Sequence, residues 1–204
     1  MPAGFERIPA LPDLPNCILH CRVTHSPQNP IRAMKAKNFT STYQLPIETA
    51  EGTFVAHYSD HGLAALDFPG AAFSKPSPAV PSTIRAWHDA TNRALEQALA
   101  GRTPQSLPPF DLSRGTEFQK CVWTALRKIT AGHTRSYSEI AGMIGKPKAV
   151  RAVGGACGAN PIPVLVPCHR VLAANHRLGG FSADMNWKRT LLKREGVVPA
   201  DGLR

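Results

Sequence analysis

The 204-residue chain contains no apolar stretch approaching membrane-spanning length, which argues against a protein that crosses a bilayer as helices. Its start does not resemble a signal peptide, because Met1 to Asn16 is broken by Pro2, Pro9, Pro12 and Pro15. Its five cysteines are an odd number without framework spacing. That argues against a disulfide-stapled fold and fits a reducing compartment. The expected location is the cytoplasm, or the nucleus in a eukaryote. Cys17 and Cys21, with His25 nearby, could supply half a zinc site, but no second cysteine pair follows at finger-like spacing. Two free thiols are the better reading. Neither a metal nor another cofactor is expected.

Acidic residues are also scarce: 14 Asp/Glu stand against 24 Lys/Arg, for a net charge of +10. The deficit is local. Residues 1–110 hold nine basic and eight acidic residues, whereas residues 111–204 hold fifteen and six. Positive charge concentrated in one half is the footprint of a phosphate-binding surface. Solubility alone would not place it so unevenly.

What is present suffices for a packed core, with 43% hydrophobic residues. Residues 1–38 are proline-rich and read as largely irregular. Three β-prone runs follow, at 39–45, 52–58 and 62–68, with a hairpin turn at Ser59-Asp60-His61-Gly62. Ser74 to Pro81 reads as a loop. Ser82 is the expected cap of a helix reaching Ala100, with Ile84, Trp87, Thr91, Leu95 and Leu99 on one stripe and Gly101 as its stop. Residues 1–102 thus form an expected α/β domain, and His57, His61 and His88 in it read as ordinary surface or core histidines. Residues 103–112, with Pro104, Pro108 and Pro109, form the expected linker. A second domain spans 113–204.

This second domain is expected to be helical. Thr116-Glu117-Phe118-Gln119 and Ser136-Tyr137-Ser138-Glu139 are both capping boxes. The first opens a helix bearing Phe118, Val122, Leu126 and Ile129. The second opens a shorter one ending at Gly145. Pro147 reads as a first-turn residue of the next helix, with Lys146, Lys148 and Arg151 at its start and Gly154, Gly155 and Gly158 along it. Two helices joined by a tight glycine-containing turn describe a helix-turn-helix. Glycine costs about 1 kcal/mol against alanine inside a helix, so small residues here point to close approach by another backbone or a DNA strand. A last helix, Asn186 to Glu195, turns Trp187, Leu191 and Leu192 inward and Lys188, Arg189, Lys193 and Arg194 outward.

Between these helices lies Asn160-Pro161-Ile162-Pro163-Val164-Leu165-Val166-Pro167-Cys168-His169-Arg170. Three prolines stiffen it, and Val164-Leu165-Val166 reads as a buried extended run. The stalk presents Cys168 beside a base and a cation, which favours a thiolate nucleophile. The bland alternative is an inert core cysteine.

Pro167-Cys168-His169-Arg170-Val171, preceded by Asn160-Pro161, resembles the active-site signature of the O6-alkylguanine-DNA alkyltransferases. The resemblance runs from about Arg114 to Gly196 and is strongest from Phe118 to Val171. It implies a ribonuclease H-like N-terminal unit and a winged-helix-like C-terminal domain. It also implies a monomer that binds the minor groove of double-stranded DNA and flips out an alkylated guanine. Repair by direct reversal would follow, with irreversible, single-turnover transfer of the alkyl group to Cys168. On this resemblance His169 takes the thiol proton through a water, and Glu195 orients His169. Tyr137 hydrogen-bonds the flipped guanine and helps extrude the nucleotide. Arg151 enters the stack in its place. Asn160, Lys148, Ala152 and Gly154 fall among the DNA-binding positions, Asn160 tying the recognition helix to the active-site turn. Val171, Ser182, Pro163 and Trp123 fall at the substrate pocket. Ala183 and Asp184 depart from the two glycines that many members carry after the Ser182 position. The competing readings are a non-catalytic helix-turn-helix lesion sensor or regulator, which the presence of Cys168 disfavours, and a cysteine hydrolase.

Overall fold

The computed structural model describes residues 43–73 and 79–202. The segment 1–38 with Cys17, Cys21 and His25, the first residues of the expected strand at 39–45, and positions 74–78 lie outside the described residues. Strands β1 (Tyr43–Thr49), β2 (Gly52–Ser59) and β3 (Gly62–Asp67) form an antiparallel sheet in that order. β1 pairs with β2 from Tyr43↔Tyr58 to Thr49↔Gly52, so the first strand continues four residues past the expected end. β2 is central and carries buried residues on both faces: Phe54, Val55, Ala56 and Tyr58.

Helix α1 (Ser82–Leu99) lays Ile84, Thr91, Ala94, Leu95, Ala98 and Leu99 inward. Ser82 is its first helical residue rather than its cap; Pro81 stands at the cap position and offers no side-chain bond. In this half Asn92 Oδ1 is buried without a hydrogen-bond partner among the described residues, whereas the buried hydroxyls are bonded. The Tyr58 hydroxyl donates to Thr91 Oγ1 at 2.9 Å and lies 3.2 Å from His88 Nδ1.

The expected linker contributes to the sheet. Leu63 donates to the Pro109 carbonyl and Asp111 donates to the Leu63 carbonyl, both at 2.8 Å, giving a parallel bridge at Leu63↔Phe110. Leu66 N–H donates to the Pro161 carbonyl at 2.9 Å. The outer edge of β3 is thereby stitched to the start of the stretch that leads to Cys168.

Both capping boxes form, opening α2 (Glu117–Leu126) and α3 (Tyr137–Met143). Helix α4 (Val150–Gly158) begins later than expected, with Ala149 at its cap position. A turn closed by Ala149 N–H on the Lys146 carbonyl at 2.9 Å intervenes, so Lys146, Pro147 and Lys148 precede the helix. Helices α2, α3 and α4 pack on one another. Two-residue strands β4 (Arg135–Ser136) and β5 (Val171–Leu172), which the sequence pattern does not announce, pair in parallel in front of them. Helix α5 (Met185–Arg194) is the last helix among the described residues, with Glu195 at its C-cap. One hydrophobic core runs without interruption from Phe54 and Leu95 to Val166 and Cys168.

Candidate active site

The stretch before Cys168 is not an extended segment. It is a succession of tight turns. Leu165 donates to the Pro163 carbonyl at 2.9 Å around Val164, which has φ 71. Cys168 donates to the Val166 carbonyl at 2.8 Å around Pro167. Prolines 161, 163 and 167 have no N–H to give a ladder, and only three residues separate the last two, so the backbone bonds to itself. A β-branched residue at positive φ is strained, and here it persists because residues 162–172 are all buried.

Asn160 holds these turns together. Its Nδ2 donates to the Val166 carbonyl at 2.8 Å and to Cys168 Sγ at 3.2 Å, and its Oδ1 accepts from Ile162 N–H at 3.1 Å. The side chain is buried and fully spent inside the protein. Asn160, two residues past the end of α4, thus ties that helix to the turn carrying Cys168, as the resemblance implies, and its side chain faces inward rather than towards DNA.

Cys168 is 4% exposed. Burial raises its pKa, and the Asn160 amide and the Lys188 ammonium only partly offset this. The neighbouring cation does not activate the thiol as the local sequence suggested, because Arg170 turns away to Glu195. Its Nε lies 3.1 Å from both carboxylate oxygens and its Nη2 2.8 Å from Oε1. The remaining nitrogen, Nη1, donates to the Ile129 carbonyl.

His169, 1% exposed, meets the same carboxylate: Nε2 to Glu195 Oε1 is 3.0 Å. Burial pushes Glu195 up, but hydrogen bonds from His169 and Arg170 outweigh it, and the carboxyl sits below its ordinary value. An ionised Glu195 accepts only, so Nε2 carries the imidazole proton. Nδ1 is then a bare acceptor. It is buried and has no hydrogen-bond partner among the described residues. Burial, opposed by Glu195, holds the His169 pKa below its ordinary value, so the ring is a neutral base at rest.

The cation beside the thiol is Lys188. The helical pattern placed it outward, yet it is 0% exposed. Its Nζ donates to the Val171 carbonyl at 2.7 Å and the Gly180 carbonyl at 3.1 Å. Burial lowers its pKa to about 8, although Cys168 and Cys157 pull the other way. The sequence offers one signal for it: the residue lies between Trp187 and Leu191 on a face otherwise turned inward. Tyr137 is half-buried, its hydroxyl 3.5 Å from the Gly180 carbonyl. Burial and the two nearby thiols raise its pKa to about 12, so it is an O–H donor at neutral pH.

The other expected positions divide. Val171 and Pro163 are buried beside the thiol in sequence, and Ser182 is exposed on the loop before α5. Trp123 is 3% exposed and donates its indole N–H to the Ala156 carbonyl at 2.9 Å. It braces α4 from the core, against the expectation that it lines a pocket. Asp184, the departure noted above, caps α5 by accepting from Asn186 N–H at 2.9 Å. The outer face of α4 shows Arg151 and Ala152 exposed and Gly154 half-exposed. A Cβ at Gly155 or Gly158 would meet nothing within 4 Å. Lys148 is exposed just before the helix. The surface is basic and shallow.

A helix-turn-helix with a smooth basic face, set over a buried cysteine, a neutral histidine and an ionised glutamate, defines a DNA-binding protein with a thiol nucleophile. Residues 117–197 match the family described as 6-O-methylguanine DNA methyltransferase, DNA binding domain. The methylated-DNA–protein-cysteine methyltransferase of Methanosarcina barkeri is 40% identical over 152 residues, which cover 73% of this chain and 94% of that protein. The one of Methanosarcina acetivorans is 51% identical over 108 residues, 52% of this chain and 67% of that protein. Among solved structures, Mycobacterium tuberculosis OGT in complex with DNA superposes with a TM-score of 0.62 at 37% identity, covering 76% of this chain and 94% of that one. The chain belongs to the methylated-DNA–protein-cysteine methyltransferase family.

Proposed function

We propose that this protein repairs DNA by direct reversal, taking the alkyl group from O6 of guanine onto Cys168 Sγ, once per molecule. One observation carries the reading: a buried thiol and an imidazole whose tautomer is fixed by Glu195, leaving Nδ1 free to accept a proton. A side chain cannot reach O6 within the stack, so the nucleotide is flipped out of the duplex, at a cost of a few kcal/mol that is least for a weakly paired lesion. Exposed Arg151 is suited to fill the gap. The small residues of α4, Ala152 and Gly154 among them, suit close approach in the minor groove. Lys148 suits a phosphate.

At the sulfur, His169 Nδ1 takes the thiol proton through a bridging water, and the thiolate attacks the alkyl carbon. The C–S bond forms and the C–O bond breaks, its electron pair leaving on guanine O6. The Tyr137 O–H donates to the departing base, and Lys188 stabilises the thiolate while it lasts. The net exchange is one thiol proton for one alkyl group, with the proton ending on guanine. The thioether offers no leaving group of comparable quality, so the protein is consumed. No metal or cofactor takes part. The reaction needs a reduced thiol, which suits a cytoplasmic setting. We read the sheet with α1 as ribonuclease H-like, and α2 to α4 with the β4–β5 pair as winged-helix-like, acting as a monomer; the element order supports both. The boundary between the two units falls at 103–112.

The test is to incubate the protein with a duplex carrying O6-methylguanine and weigh the peptide containing Cys168. A gain of one methylene is expected. Cys168→Ala should lose transfer and keep duplex affinity. An unmodified peptide from folded, DNA-binding protein would overturn the reading.

A further inference from the structure

Arg194 ends α5, one residue before Glu195. Its side chain leaves the C-terminal half. Nη1 donates to the Leu99 carbonyl at the end of α1, at 2.9 Å, and Nη2 pairs with Glu51 in the β1–β2 turn. The main chain is engaged as well. Gly101 has φ +73, and a Cβ there would stand 2.2 Å from the Arg194 carbonyl oxygen, so only glycine lets the turn after α1 lie against it. A third strut comes from the linker. Thr103 Oγ1 accepts from Ala131 N–H at 2.9 Å, and the next residue, Gly132, donates to Glu195 Oε2 at 3.4 Å. Contacts from Glu51, Leu99, Gly101 and Thr103 therefore converge on the surroundings of one carboxylate. The Arg194 and Glu51 side chains are 34% and 21% exposed, and an ion pair that wet adds little to stability. Its value is geometric.

We propose that Arg194 is a positioning residue: it clamps the end of α5 to the N-terminal half and so keeps Glu195 in register with His169 Nε2. The proposal rests on the alkyl-transfer reading above. It gives the N-terminal sheet and helix a part in the reaction. The charged groups facing His169 are Glu195, Arg170 and Lys188; those facing Glu195 are His169 and Arg170. Arg170 and Lys188 weaken the imidazole as a base, and Glu195 alone strengthens it. A carboxylate that drifts from Nε2 leaves a weaker base, and the thiol then releases its proton only at higher pH.

The experiment is single-turnover methyl transfer from an O6-methylguanine duplex, measured from acid to alkaline pH, for wild type, Arg194→Ala, Glu51→Ala and the double variant. Wild-type transfer tests the underlying reading separately. Glu51 lies in a surface turn on the other half of the clamp, so Glu51→Ala keeps the proposal testable if Arg194→Ala fails to fold. Near neutral pH, Arg194→Ala should be slower by about tenfold and Glu51→Ala by about threefold. Both should recover towards wild type as pH rises, with duplex affinity unchanged and the double variant no slower than Arg194→Ala. Rates that match wild type at every pH, or a loss equal at every pH, would overturn the proposal.

Discussion

The two halves of this molecule bury different kinds of polar group. In the sheet and α1, the buried Tyr58 hydroxyl meets Thr91 and His88, and Thr91 meets the Trp87 carbonyl. These hydroxyls satisfy one another, although Asn92 Oδ1 on α1 is buried without a partner among the described residues. Around Cys168 the interior instead holds a thiol, an imidazole, a guanidinium, a carboxylate and an ammonium, and His169 Nδ1 is left without a partner. A buried unpartnered acceptor costs about 1–3 kcal/mol. The first half buries neutral polar groups, whereas the second buries charged and titratable ones, His169, Arg170 and Lys188, around the thiol. The following substitutions break or sharpen that contrast.

The largest effect belongs to Glu195→Gln. It leaves Arg170 buried without its counter-charge, which should cost about 3 kcal/mol in urea unfolding. It also frees the His169 tautomer, which should slow transfer about a hundredfold at neutral pH. The pH dependence has a definite sign. Glu195 sits below its ordinary value in the fold, so its stabilising contribution is present above that value and is lost as pH falls through the depressed one. His169 is likewise depressed, and acid again favours the unfolded chain. The acid limb of the wild-type stability profile should therefore be steep, and Glu195→Gln should flatten it. A variant as acid-sensitive as wild type would remove Glu195 from this account.

Lys188→Met comes next. Removing the cation beside the thiol should slow transfer about tenfold near pH 7, with the loss shrinking in alkali, where the thiol ionises unaided. Stability moves in the opposite direction to the usual lysine. The folded pKa is about 8 against an ordinary 10.5, so the unfolded chain binds the extra proton between those values. Wild-type stability should thus rise relative to Lys188→Met as pH climbs through that interval, as parallel thermal melts would register. Parallel melts with a constant offset would place the ammonium in water.

These residues also mark how far the sequence could be read. Helices α2 and α3 were legible because a capping box is local chemistry, four residues reporting on themselves. The pairing of His169 with Glu195, 3.0 Å apart, was legible through resemblance to a known signature. Lys188 was not, since a helical pattern sends charges outward, and Arg170, read as the thiol's neighbouring cation, turns instead to Glu195 because only the tertiary fold brings that carboxylate to it. Val164-Leu165-Val166 looked like a strand because its β-branched composition is strand-like; the surrounding prolines and complete burial overrode that preference. The β4–β5 pair has two residues per strand and joins positions 36 apart, Arg135↔Val171, so no local period announces it. Arg194 looked like part of a solvated stripe, and its contacts with Glu51 and Leu99 exist only once the halves meet.

Tyr58→Phe tests the quiet side of the contrast and should have the smallest effect. It deletes one hydroxyl from a satisfied set, and Thr91 Oγ1 keeps its bond to the Trp87 carbonyl at 2.7 Å, so no donor is stranded on that residue. The ring of Tyr58 stays in the core against the His88 ring, with centroids 6.0 Å apart. The cost should be about 1 kcal/mol, the usual net value of a buried hydrogen bond. Transfer rate per folded molecule should match wild type, because the Tyr58 hydroxyl bonds Thr91 and lies against His88, and not against Glu51, Leu99, Gly101 or Thr103, through which this half reaches Glu195. A Tyr58→Phe variant that stayed folded yet transferred alkyl groups several-fold more slowly would mean that the sheet core itself, and not the clamp at its edge, sets the position of the carboxylate.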